Sequence, residues 1–343
     1  MNTMKLKPNA IMFTHNDLDG IVCGILFQSV IGYGAEVNYC GYYNVDEKII
    51  KVLDHIERRT NEHPQIIISD LGIKPETAEC VDRYEGEKIL LDHHKTNRWI
   101  QEKYDCAIID EEASGTLLVF DYIEGIPDRF RDFAIRVDDY DRWVHAYPDS
   151  KRLKCLFYVL GIERFVDRCL NLTNPIIFTE SDELLLELGE EAIERYIHIL
   201  EKGIVIYELT GDKQLGVVFA DRYQSEAGHE LLNRLNLDAI IMIDANNRKI
   251  SMRSKPHTWA KLQNVLVVGD IKTLQWLNLI TKVLSYSDSI KTTKIQSSFC
   301  VIVDNQITLD RLHKRFVFRS NCKVRFSSRR GYRINSSNSR RIS

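Results

Sequence analysis

Residues 10–32, AIMFTHNDLDGIVCGILFQSVIG, decide the reading of the fold. The apolar run AIMF (10–13) predicts a buried strand, and GIVCGILFQSVIG (20–32) is apolar enough to pack on it as a helix. Between them stand His15, Asp17 and Asp19, where the strand should end. The same alternation continues downstream. EVNYCGYY (36–43) predicts a second strand and EKIIKVLDHIERR (47–59) a helix with apolar residues at helical spacing. QIIISD (65–70) and KILLD (88–92) predict a third and a fourth strand, each ending in an acidic residue. Strands alternating with helices imply a parallel sheet in an α/β fold, with ligands at the carboxyl ends of the strands.

Farther along, residues 113–143 read as two helices, one opening at Ser114-Gly115-Thr116 and one running from Pro127 into RVDDYDRW. From position 181, SDELLLELGEEAIERYIHILEKGIVIYEL is amphipathic and predicts a long linker helix. A second α/β pattern follows: QLGVVFA as strand, SEAGHELLNRL as helix, then DAIIMID and KISMRS as hairpin strands joined by an Asn-Asn turn at 246–247. The expected organisation is an N-terminal parallel-sheet domain at 1–150, a helical linker at 151–205, the start of a smaller α/β domain at 206–258, and an aberrant segment at 259–343.

Composition agrees with a cytoplasmic globular chain. At 343 residues there is room for two cores. No apolar run is long enough to span a bilayer, and the N-terminal stretch lacks the apolar core of a secretory signal. The eight cysteines form no CxxC pair and read as small buried hydrophobes in a reducing compartment. The net charge of −3 hides an asymmetry: residues 291–343 carry 13 Lys and Arg against 2 Asp and Glu, leaving 33 against 47 in residues 1–290.

Four polar motifs carry the chemistry: His15-Asn16-Asp17-Leu18-Asp19-Gly20, Ser69-Asp70, Asp92-His93-His94, and Asp138-Asp139-Tyr140-Asp141. Three sit at predicted strand ends and the fourth ends a helix. Taken singly they are weak. An isolated Asp-x-Asp-Gly is more often a turn, and Asp70 alone could cap the following helix. Adjacent histidines after a buried strand are harder to dismiss, because burial costs them hydration unless something satisfies them. Hard divalent cations prefer carboxylate oxygens, imidazole adds borderline affinity, and two ions about 3.5–4 Å apart need a bridging carboxylate.

In order, THNDLDGIVCGI, IISDLG, LLDHHKT and VDDYDRW resemble the four motifs of the DHH phosphoesterase superfamily, which includes RecJ-like exonucleases, nano-RNases and family II pyrophosphatases. The Asp-x-Asp-Gly form of the first motif is closer to the RecJ-like and nano-RNase branch than to the pyrophosphatases. The resemblance implies that Asp17 and Asp19 each hold one metal ion, that Asp70 bridges them, and that His93 is a ligand. It implies that Asp92 orients His93, and that His94 faces the substrate phosphate as hydrogen-bond donor or general acid, with His15 beside it in the catalytic group. In the fourth motif Asp139 is the preferred ligand, Asp141 the alternative, and Asp138 a helix-end charge. The implied cofactor is a pair of Mn2+ ions, with Mg2+ possible. The implied activity is hydrolysis of short oligonucleotides or small nucleotides to mononucleotides, with a weakly active nucleotide-binding remnant or a manganese pyrophosphatase as alternatives.

The associated C-terminal domain of that superfamily ends in a glycine-rich stretch closed by His, which grips the substrate phosphate. KISMRSK (249–255) fits the strand before it, and then TWAKLQNVLVVGDIKTLQW (258–276) stands where glycines are expected. Read one base out of frame, with codon choices the genetic code allows, the run from Ala260 can give Gly-Gly-Gly-Gly-His. The resemblance therefore implies a frame slip between about Lys255 and Ala260. The alternative for the basic end, SSRRGYRINSSNSRRIS, is a nucleic-acid-binding tail.

Overall fold

The computed structural model describes residues 3–32, 34–59, 63–209, 213–244, 246, 249–255 and 299–302. The chain divides into two compact units, Met1–Glu190 and Glu191–Ser343.

In the first unit β1 (Ile11–His15), β2 (Glu36–Cys40), β3 (Ile66–Ser69), β4 (Lys88–Asp92) and β5 (Ala107–Ile109) form one sheet in the order β2-β1-β3-β4-β5. Every pairing is parallel. The period of two along each strand sorts side chains to opposite faces. Met12, Ile67, Ile89 and Leu91 enter one core, while Ile11, Phe13, Ile66, Ile68 and Leu90 enter the other. The first core is closed by α1 (Leu18–Ile31), α5 (Gly115–Tyr122), α6 (Arg131–Asp141) and α7 (Pro148–Asn171). The second is closed by α2 (Val45–Arg59), α3 (Pro75–Arg83) and α4 (Arg98–Lys103).

Helix α1 is buried along its first ten residues, Leu18 to Phe27. A helix apolar on all sides fits there because sheet, α5, α6 and α7 surround it. The strand order has a functional consequence. From β1 the chain crosses to β2 on one side, and β3, β4 and β5 then build outward on the other. The carboxyl ends of β1 and β3 thus flank the point where the winding reverses, the place where open α/β sheets bind ligands.

The sequence did not mark α3, α4 or β5, whose apolar patterns are short or mixed, while α7 falls largely within the expected helical linker. It also ran the linker helix too far. Helix α8 spans Glu180–Gly203, and the β-branched run after it forms β6 (Val205–Leu209).

In the second unit β6, β7 (Lys213–Phe219), β8 (Ala239–Asp244), β9 (Lys249–Ser254) and β10 (Phe299–Ile302) form a sheet in the order β10-β9-β8-β7-β6. Strands β7 and β8 are parallel and joined through α9 (Gln224–Arg234), and β8 and β9 pair antiparallel as the hairpin pattern implied. Its core gathers Ile197, Leu200, Val218, Leu231, Leu237, Ile240 and Met242. Phe299–Ile302 adds to β9 as an antiparallel strand; the remainder of 256–343, including the out-of-frame stretch and the basic end, lies outside the described residues, as does most of the turn at 246–247. Among the described residues no helix is long and apolar enough to cross a membrane.

Candidate metal centre

Asp17 is the N-cap of α1, and its Oδ1 accepts the backbone N–H of Gly20 at 3.1 Å. Its Oδ2 stands 3.0 Å from Nδ1 of His15, the last residue of β1. The strand-to-helix turn is tight: a Cβ at Gly20 would lie 2.3 Å from the carbonyl oxygen of His15, so only glycine closes it. Thr14 secures the turn by donating to the carbonyl of Gly20 at 2.9 Å, and Ser69 of β3 donates to Thr14 at 3.0 Å.

Asp19 occupies the first turn of α1 and is 1% exposed. It meets the N-terminus of α5, where Gly115 N–H donates to Oδ2 at 2.8 Å and Thr116 N–H to Oδ1 at 2.9 Å. Helix N-termini favour anions, which explains how a buried carboxylate is held there. A Cβ at Gly115 would lie 2.6 Å from Cβ of Asp70 and 2.9 Å from Oδ2 of Asp19, so this helix can approach the two carboxylates only with glycine at that position.

Asp70 follows β3 with φ +52°, an uncommon conformation for a residue with a side chain and one that strain-bearing sites adopt. It is 2% exposed. Its Oδ1 is 3.3 Å from Nε2 of His93 and 3.9 Å from Nδ1 of His94, and its Oδ2 is 3.7 Å from Nδ1 of His15. That Oδ2 is buried and has no hydrogen-bond partner among the described residues. His93 Nε2 also faces Asp19 Oδ2 at 3.8 Å and Asp141 Oδ2 at 3.5 Å.

The fourth motif folds differently from its reading in sequence. Asp139 turns away from the cluster: its carboxylate accepts backbone N–H groups of Ala146 at 2.7 Å and Tyr147 at 3.3 Å, tying down the loop after α6. Asp141 instead reaches His93. Asp138 is more than a helix-end charge, because its Oδ1 accepts Ser114 N–H at 2.7 Å at the start of α5. Asp92 also departs from its expected role. Its Oδ1 pairs with Nδ1 of His94 at 2.8 Å and its other oxygen accepts from Asn97, so it orients His94 and not His93.

Crowding sets the electrostatics. Burial, and then the charges of Asp17, Asp19, Asp141 and Asp92, push the Asp70 carboxyl well above the usual carboxylate range. Burial and Asp19 push Asp141 up to about 7. Burial opposes charge on Asp17 as well, but His15, followed by Lys154, holds its carboxyl well below the usual range. Burial lowers the basicity of His93 and His94, and neighbouring carboxylates more than reverse this, led by Asp141 for His93 and by Asp92 for His94. The ring centroid of Tyr42 lies 4.6 Å from that of His15.

Three donor groups emerge, each with ligand atoms within 4.8 Å of one another: His15, Asp17 and Asp70; Asp70, Asp92, His93 and His94; and Asp19, His93 and Asp141. Asp70 is common to the first two and His93 to the last two. Carboxylate oxygens with imidazole nitrogens suit divalent cations, and the unpartnered Oδ2 of Asp70 is an acceptor that a cation would satisfy. The residues therefore fit a pair of ions.

No profile of a known protein family matches the chain. It is 27% identical over 266 residues to oligoribonuclease NrnB of Bacillus subtilis (strain 168), an alignment covering 71% of this chain and 65% of the relative. Among solved structures, it superposes with a TM-score of 0.58, at 12% identity, on a DHH domain described as a member of the S1p family of ribosomal proteins, covering 91% of this chain and 87% of that one. The chain thus shares the fold of a DHH domain. The Asp92-His93-His94 run at the end of β4 has its three residues divided between two tasks: His93 faces Asp70 and Asp141, while Asp92 holds His94.

The motifs do not include Tyr42, Asn97 or the Gly115 and Thr116 amides. Only the amides had a signal, in the Ser-Gly-Thr start predicted for α5.

Proposed function

We propose that this chain is a DHH-superfamily phosphoesterase, a cytoplasmic two-metal phosphodiesterase that cleaves short oligonucleotides to mononucleotides. The convergence of His15, Asp17, Asp19, His93 and Asp141 around the buried carboxylate of Asp70 carries this reading. His15, Asp17 and Asp70 would hold one ion; Asp19, Asp70, His93 and Asp141 the other. His15 thereby moves from the catalytic group to the ligands, and Asp141 takes the place expected of Asp139. Manganese suits the mixed oxygen and imidazole donors better than magnesium, which prefers all-oxygen shells. Bound divalent ions supply charge neutralisation at the phosphoryl oxygens and an acidified water as nucleophile.

The protein's own groups do the remainder. Gly115 and Thr116 amides fix Asp19, and the Gly20 amide fixes Asp17, so the carboxylates are positioned before substrate arrives. Asp92 holds Nδ1 of His94, leaving Nε2 to donate a proton to the phosphate or to the leaving oxygen. His94 is the more open of the paired histidines, its side chain 35% exposed against 14% for His93. An oligonucleotide substrate follows the NrnB relative, of whose length the chain spans 65%.

The test is to incubate the full chain with end-labelled oligoribonucleotides of two to five residues and manganese, and to resolve the products. Release of mononucleotides that stops on chelation supports the reading. Cleavage of pyrophosphate with oligonucleotides left intact would replace it with the pyrophosphatase alternative.

A further inference from the structure

At the end of β2 the chain turns through Gly41, Tyr42 and Tyr43 into α2. Neither tyrosine enters a core of the first unit: Tyr42 is 41% exposed and Tyr43 is 79% exposed. The parallel register sets Cys40 of β2 against His15 of β1, so the residues after Cys40 run beside those after His15, where the candidate metal cluster begins. The Tyr42 ring reaches it. Its centroid lies 4.6 Å from that of His15 at an interplanar angle of 45°, and Nδ1 of the same imidazole stands 3.0 Å from Asp17 Oδ2. Asp17 lies on the open side of the cluster, its side chain 38% exposed against 3% for Asp70. The turn that carries the ring is fixed: Gly41 N–H donates to Asn44 Oδ1 at 2.9 Å, and the Gly41 carbonyl accepts the N–H groups of Asn44 at 3.1 Å and Val45 at 3.2 Å. A half-exposed ring on a fixed turn loses little freedom when a flat ligand covers it.

We propose that Tyr42 is a base-binding residue, its ring stacking on the nucleobase of a nucleotide whose phosphate is held at the Asp17, Asp70 and Asp141 cluster. This rests on the phosphodiesterase reading above and adds to it the contact that selects a nucleotide over a bare phosphate ester. The carboxylates and imidazoles act at the phosphate end of the substrate, and Tyr42 borders them where the adjoining base would lie. Every base has a π-face, so stacking on an aromatic ring accepts purines and pyrimidines alike. The ligand class is therefore a nucleotide of any sequence, in preference to a sugar phosphate or inorganic pyrophosphate.

The test measures, by calorimetry on the full-length protein with manganese, the affinities of a nucleoside 5′-monophosphate and of ribose 5-phosphate, which has the same sugar and phosphate without the base. The wild type should bind the nucleotide about tenfold or more tightly, with adenine and with uracil. Two non-aromatic variants, Tyr42→Leu and Tyr42→Gln, are compared with Tyr42→Phe, which keeps the ring; either non-aromatic variant that folds serves. In it the preference should shrink to about threefold or less and KM for a dinucleotide should rise about tenfold with a smaller change in kcat, while affinities for ribose 5-phosphate and manganese stay within about twofold of wild type. Tyr42→Phe should keep the preference. An unchanged preference in a folded non-aromatic variant overturns the proposal and leaves the phosphodiesterase reading intact. So does an equal loss of affinity for both ligands, which would make Tyr42 a support for His15. If the wild type shows the preference, loses it with the ring, and hydrolyses nothing, the stacking contact stands and the phosphodiesterase reading fails. If the wild type binds the two ligands equally, the proposal is wrong whatever its activity.

Discussion

Oδ1 of Asp70 stands 3.3 Å from Nε2 of His93, while the other oxygen of the same carboxylate is buried and lacks a hydrogen-bond partner among the described residues. One carboxylate thus faces the β4 histidines with one oxygen and the β1 histidine with the other. The strand order explains the meeting: β3 lies between β1 and β4, so a residue ending β3 reaches the ends of both neighbours. Two ions sharing Asp70 would relieve the mutual repulsion of the acidic groups around it.

Asp141 and Asp139 should separate cleanly on substitution. Asp141→Asn is expected to weaken manganese binding at least tenfold and to lower kcat by about a hundredfold or more, with little loss of stability in the metal-free protein. Asp139→Asn should retain manganese affinity and lose about 1 kcal/mol of stability, because it weakens the acceptor for two part-buried backbone N–H groups. Calorimetric titration and chemical denaturation of both variants check the pair.

Asp92 and His94 should behave as one unit. His94→Gln is expected to reduce kcat by roughly 10²–10⁴ if His94 transfers a proton. Asp92→Asn should give part of that loss by freeing the imidazole, and the double variant should be little worse than His94→Gln alone. Additive losses in steady-state kinetics would show that Asp92 acts on something other than His94.

Much of this was legible in the sequence because strand ends are. Apolar runs bounded by acidic residues located β1, β3 and β4, and the sheet could bring their ends together in only a few ways. Periodicity within the motifs accounts for where Asp139 and Asp92 point. On a helix, positions three apart share a face, so Asp138 and Asp141 both turn toward α5 and the β4 end while Asp139 is rotated away. In extended chain, positions two apart share a side, so Asp92 meets His94 and not the intervening His93. Tyr42 gave no signal, since only the tertiary fold brings the chain after β2 to His15.

The first unit also carries a buried ion pair that predicts pH dependence. Arg168 of α7 donates to both oxygens of Asp182 at 3.0 and 2.9 Å and to the carbonyls of Pro175 and Ile177, each at 2.9 Å, fastening the start of α8. Burial works against charge on Asp182, and hydrogen bonds from Arg168 and Thr179 outweigh it, leaving the carboxyl below its ordinary value. A depressed carboxyl stabilises the fold above its unfolded pKa, and that stability is lost as pH falls through the folded one. Arg168→Leu should therefore cost about 3–5 kcal/mol at neutral pH by stranding Asp182, with the difference from wild type narrowing in acid. Urea denaturation at pH 7 and at pH 3 measures both.

The central claim is that Asp70 is the shared ligand of a two-ion site. Its most direct test is titration of metal-free wild type and Asp70→Asn with manganese, followed by calorimetry and by the electron-spin coupling between bound ions. Two ions per chain with magnetic coupling in the wild type, and uncoupled or much weaker binding in a folded Asp70→Asn, is the predicted result. Two coupled ions bound with unchanged affinity in Asp70→Asn would contradict it.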